Sequence, residues 1–118
     1  MAKNDMHLII YKILRYLYDC NKQGKTPCFS DMFIAAELAL LPKSYIAQIL
    51  QELISCGYID GCRVTITKDA PLIELSDKAY VTLKGAEYLA ENSRMQKAAK
   101  VAGTAFEILL EGIIAAAL

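Results

Sequence analysis

The chain has 118 residues, 55% hydrophobic and 22% charged, with thirteen basic and thirteen acidic side chains and no formal net charge. This composition excludes intrinsic disorder, which needs low hydrophobicity and strong net charge, and it lacks the basic footprint of a strong nucleic-acid binder. The length suits one domain with a sizeable core.

Lys3, Asn4 and Asp5 lead straight into an amphipathic pattern rather than the unbroken apolar run of a signal peptide. A cytoplasmic protein with reduced thiols is therefore expected. Cys20, Cys28, Cys56 and Cys62 form no C-x-x-C pair and have only His7 as an imidazole partner, so neither a metal site nor a cofactor is expected. From Asp5 to Gln23 a first helix is expected, with Met6, Ile9, Ile10, Ile13, Leu14 and Leu17 on one stripe and Lys12, Arg15, Asp19 and Lys22 away from it. Tyr11, Tyr16 and Tyr18 flank the stripe and read as boundary residues with wet hydroxyls. Met1 to Cys28 carries five bases against two acids, giving plus three, and offers a phosphate-contact surface.

Thr26-Pro27 marks a loop, since the residue before proline avoids the helical region. Ser30 reads as the cap of a short second helix with Asp31 in its first turn, outlined by Met32, Phe33, Ala36 and Leu40 and broken by Leu41-Pro42. Pro42 then suits the start of a third helix that Gly57 ends. Ile46, Ile49, Leu50, Leu53 and Ile54 share one face of it, and Lys43, Tyr45, Gln48, Gln51, Glu52 and Ser55 occupy the other. Such a pair has the helix-turn-helix arrangement, in which the second helix recognises a partner.

After Gly57 the period changes from 3.6 to 2: Tyr58, Ile59, Val64 and Ile66 alternate with Asp60, Arg63, Thr65 and Thr67, as in a half-buried strand. A turn at Lys68 to Pro71 leads to a returning strand at Leu72, Ile73 and Leu75 and a further extended piece at Ala79 to Val81, making a hairpin wing. Thr82 caps a fourth helix through Leu83, Ala86, Leu89 and Ala90, with Gly85 allowing a close backbone approach.

The stretches YKILRYLYDC at Tyr11 to Cys20, SYIAQILQELISCGYIDG at Ser44 to Gly61 and VTLKGAEYLAENS at Val81 to Ser93 resemble the YjcQ family, small winged-helix proteins of Gram-positive bacteria and their phages. The resemblance implies an α+β fold, a winged helix-turn-helix with a three-helix core and a β-hairpin wing, to which the apolar tail, unusual against the family pattern, adds a C-terminal helical extension. It implies no activity, because a winged helix serves both DNA-binding regulators and protein-interaction modules. The expected division is a winged-helix domain over 1–92 and an extension over 93–118.

For double-stranded DNA the candidate contacts are Lys43, Ser44, Tyr45, Gln48 and Gln51 on the third helix, with Arg63 and Lys68 in the wing. Against this, Phe29 to Cys62 has one base, Lys43, facing Asp31, Glu37, Glu52 and Asp60, a net minus three. Binding is therefore expected to be weak and dimer-dependent, and a protein partner on the same face is the competing expectation. No enzyme is expected, since there is no H-E-x-x-H, G-x-S-x-G or P-loop glycine series.

The tail Val101 to Leu118 is strongly apolar, but Glu107 and Glu111 within it argue against a membrane span. Lys100, Thr104, Glu107 and Glu111 make its polar stripe. Phe106, Leu109, Leu110 and Ile113 share an apolar face expected to hold a homodimer together, with docking against the first helix as the alternative.

Overall fold

Residues Asp5–Gln23 form helix α1 in the computed structural model, which describes residues 5–116. The basic contribution of Lys3 and the last residue of the apolar tail, Leu118, lie outside the described residues. The expected stripe of α1 is buried at Ile9, Ile10, Ile13, Leu14 and Leu17, but so are Tyr11, Lys12, Tyr16 and Cys20. This makes α1 the centre of packing. The Tyr16 phenol is not wet: its hydroxyl accepts from the Cys28 N–H at 3.0 Å and bonds the Cys28 carbonyl at 3.3 Å, tying the loop after α1 back to the helix.

Helix α2, Phe29–Ala35, starts after Cys28 rather than at Ser30, with the Cys28 carbonyl accepting from the Met32 N–H at 3.1 Å. It also stops before Leu40. Glu37 adopts a left-handed backbone (φ 56), which breaks the helical ladder, and Leu38–Leu40 form a separate 3₁₀ turn. Periodicity could not reveal that stop, because Met32, Phe33, Ala36 and Leu40 keep helical spacing across it.

Helix α3, Lys43–Ser55, runs from Pro42, whose carbonyl accepts from the Tyr45 and Ile46 N–H groups. Ile46, Ala47, Ile49, Leu50 and Leu53 are buried beneath it. Strand β1, Ile59–Thr65, pairs antiparallel with β2, Leu72–Val81, to form the hairpin. The returning stretch is one strand rather than two pieces, interrupted where Asp60 to Cys62 on β1 faces Tyr80 to Leu75 on β2. Ile66 falls beyond the pairing and is exposed, so the expected burial at that end of the strand does not occur.

Helix α4, Leu83–Glu91, begins as expected at Thr82, whose hydroxyl accepts from the Gly85 N–H at 3.0 Å. Helix α5, Ser93–Ala116, carries a kink at Gly103, whose φ 66 and ψ −165 lie in a region open essentially to glycine alone. Past the kink, Phe106, Leu110 and Ile114 recur every four residues and join the same core as Ile13, Leu14 and Leu50. The extension therefore shares one core with the residues before it. Among the described residues no helix is long and apolar enough to cross a membrane.

The dimer expectation is corrected in two of its four residues. Phe106 and Leu110 are buried within their own chain, Phe106 with its ring 5.8 Å from that of Tyr11, and Ile113 is half-buried. Only Leu109 of the four remains exposed, beside Val101 and Ile108. The physical reason is that α1 presents an uncovered second face, which the tail fills.

An ion pair reinforces this docking. The Arg15 guanidinium grips Glu107 through two bonds of 2.6 and 2.9 Å and also reaches Asp19 at 3.3 Å, so the expected polar stripe of the tail is partly turned inward. Bonding to Arg15 holds the Glu107 carboxyl below its usual range. A depressed carboxylate pKa contributes stability that is present above its unfolded value, about 4.5, and is lost as pH falls through the folded value. Because Glu107 is substantially exposed, solvent screening limits the contribution to about 0.5–1 kcal/mol. Glu107→Gln should lower stability by that amount at pH 7 and reduce the loss of stability below about pH 4.5, as read by urea denaturation across pH.

Candidate recognition surface

The exposed face of α3 is set by its own period. With the buried stripe turned inward, Lys43, Ser44, Gln48, Gln51, Glu52 and Ser55 are left exposed, and Tyr45 is half-buried. The C-terminal end of α3 is sutured to the hairpin and to α4. The Tyr58 N–H donates to the Leu53 carbonyl, the Thr82 N–H donates to the Tyr58 carbonyl at 3.0 Å, and the Thr82 hydroxyl donates to the Gly57 carbonyl. Tyr58 also stacks on Tyr88 with ring centroids 4.4 Å apart. These bonds fix the start of the wing and the start of α4 to one end of α3.

Gly85 makes that junction possible. A Cβ built there would lie 2.1 Å from the Tyr58 carbonyl oxygen, so the backbones of α4 and of the α3–β1 connection meet at a distance no side chain permits. Sequence reasoning anticipated a close approach at Gly85 but not its partner, since Tyr58 is 27 residues away and only the fold joins them.

The wing carries Arg63 and Lys68, both exposed. Arg63 sits opposite Glu74 across the hairpin, which offsets part of its charge, while no ion pair among the described residues reaches Lys43, Arg63 or Lys68.

The first helix does not supply the expected phosphate surface. Lys12 is buried against Glu37 at 2.7 Å, Arg15 is held by Glu107 and Asp19, and Lys25 is buried against Asp31 at 3.0 Å. Of the bases counted there, only Lys22 is described and exposed, and its ammonium rests 5.1 Å from the Tyr18 ring centroid. The same pairings remove Asp31 and Glu37 from the acidic excess of Phe29 to Cys62, leaving Lys43 against Glu52 and Asp60, a net minus one in place of minus three. The surface around α3 is close to neutral.

The thiols divide by environment. Cys20 is buried and Cys62 half-buried, and burial raises both, Cys62 to about 11, so neither carries an activated thiolate at neutral pH.

The family model described as YjcQ protein matches residues 11–107, a span that runs from Tyr11 within α1 through α3, the wing and the kinked helix as far as Glu107. The chain belongs to the YjcQ family. Comparison with curated proteins and with solved structures finds no match. The YjcQ match takes in both Arg15 and Glu107, so the ion pair that docks the tail lies within the family's span.

Proposed function

We propose that the chain is a winged-helix recognition module that binds duplex DNA weakly through the outer face of α3 and the hairpin wing. The observation that supports this reading is the exposed polar row on α3, with Gln48 and Gln51 facing solvent on a helix braced at one end by the hairpin and α4. Glutamine can bond adenine through two contacts in the major groove, and Lys43, Arg63 and Lys68 supply the free cations for phosphate. Two copies would strengthen binding by presenting two recognition helices, and the outward residues Val101, Ile108 and Leu109 are the apolar surface on α5 left for such pairing.

Three phosphate contacts predict a slope of about −3 for log K against log salt, since each contributes about −0.9. Fluorescence anisotropy with labelled duplexes should give measurable binding near 50 mM salt. Arg63→Ala should reduce the slope by about one, and Gln48→Ala should weaken discrimination between sequences more than affinity for all of them. A second reading, a protein partner on the same face, is favoured by the near-neutral charge around α3. Failure to bind any duplex at low salt would select it.

A further inference from the structure

Between the first half of α1 and the corner where α2 gives way to the 3₁₀ turn lies an apolar groove of about 670 Å³. Its walls include Leu8 and Ile9 from α1, Phe33 and Ile34 from α2, and Leu40 and Leu41 beyond it. Leu40 is 96% exposed and Ile34 55%, an unusual amount of open apolar surface for two adjacent turns of chain. The volume falls within the range of small-molecule sites, about 300–1,000 Å³, which pair an apolar lining with a few fixed polar groups.

Here the polar groups are Lys12 and Glu37 alone. Lys12 is only 8% exposed, yet its ammonium, which has three donors, reaches a single acceptor, Glu37 Oε2 at 2.7 Å. Two of its three donors have no bonded acceptor among the described residues, so an acceptor group entering the groove can be bonded there. The acceptor it has is conditional: the Glu37 side chain is largely exposed, and its residue is the one non-glycine with positive φ among the described residues. The Lys12–Glu37 pair also lines a second, smaller hollow, about 270 Å³, bordered by Leu8, Val101, Phe106 and Leu109. The charged pair is thus shared by two apolar spaces.

The geometry points to a binding site for an amphipathic anion, a straight-chain carboxylate whose head replaces the exposed Glu37 on the Lys12 ammonium while its chain lies along Ile34, Leu40 and Leu41. With the exposed Glu37 carboxylate turned out to solvent, the charge of the buried Lys12 ammonium selects the occupant. An uncharged apolar ligand would leave the Lys12 donors as they are, and a cation would meet a buried like charge. The site lies apart from the outer face of α3 and does not depend on how that face is used.

Calorimetric titration with dodecanoate below its micelle-forming concentration, paired with amide chemical-shift mapping, tests the assignment. Saturable binding is expected, with shifts centred on Leu8 to Lys12 and Phe33 to Leu41. Shortening the chain should weaken it by up to about fourfold per methylene, and dodecanol should bind at least about tenfold more weakly than the acid. Leu40→Glu, at a position too exposed to threaten folding, should weaken dodecanoate binding about tenfold or more through lost apolar contact and added like charge. Lys12→Met should abolish the preference for acid over alcohol. No saturable binding, shifts centred elsewhere, unchanged affinity in Leu40→Glu, or an intact acid preference in a folded Lys12→Met protein would each overturn it.

Discussion

Gly85→Ala should destabilise the protein by about 3 kcal/mol or more, a large share of the stability of a domain this size. The added methyl would sit 2.1 Å from the Tyr58 carbonyl oxygen and 2.9 Å from a methyl of Val81. A flexible side chain could move aside, but the Tyr58 carbonyl is backbone and already accepts the Thr82 N–H at 3.0 Å. Relief therefore requires separating α4 from the end of α3, which breaks that bond, the Thr82 cap and the stacking of Tyr58 on Tyr88 together. Chemical denaturation should show a lower midpoint. Gly112→Ala, where an added methyl meets nothing within 4 Å, is the control and should be neutral or slightly stabilising through helix propensity.

The second large effect is at Phe106. Phe106→Ala should cost about 3–5 kcal/mol, the range for deleting a buried phenyl group. Its ring is 4% exposed, lies against Tyr11, and has the Lys12 ammonium 5.7 Å and the Arg15 guanidinium carbon 6.0 Å from its centroid. Removing it opens a cavity beside two cations and loosens the second part of α5 from α1. If Phe106 served only to join two copies, the substitution would change the mass in light scattering and leave monomer stability intact. The packing described here predicts the reverse, a lower unfolding midpoint at unchanged mass.

Local chemistry made much of this architecture readable. Four of the five stripe residues of α3, the Thr82 cap and the switch from period 3.6 to period 2 after Gly57 each arise from neighbours in sequence and lie where the pattern puts them, while Ile54 is half-buried and Ala47 takes the fifth buried place. What escaped reading arises from residues far apart. Lys12, Arg15 and Lys25 look like a basic face until their partners Glu37, Glu107 and Asp31 are brought to them by the fold, and nothing in spacing announces those pairings. For the same reason Phe106 and Leu110 read as an unpartnered apolar face, since a helix stripe says that it must be covered but not by which element. The end of α2 was hidden differently: Glu37 is a good helix former, and its left-handed backbone goes with a distant ion pair rather than with its own propensity. The candidate contacts on α3 were readable because exposure follows from helical phase, whereas the near-neutrality of their surroundings was not.

The central claim is that the outer face of α3 and the wing form the recognition surface, and the most direct measurement is an amide chemical-shift titration of the labelled protein with short duplexes at low salt. The account predicts that the perturbed amides gather over Lys43 to Ser55 and Arg63 to Lys68, with the buried core of α1 unmoved and the shifts diminishing as salt is raised. Perturbations centred on α5 or the groove beside Leu40, or none on any duplex, would contradict it.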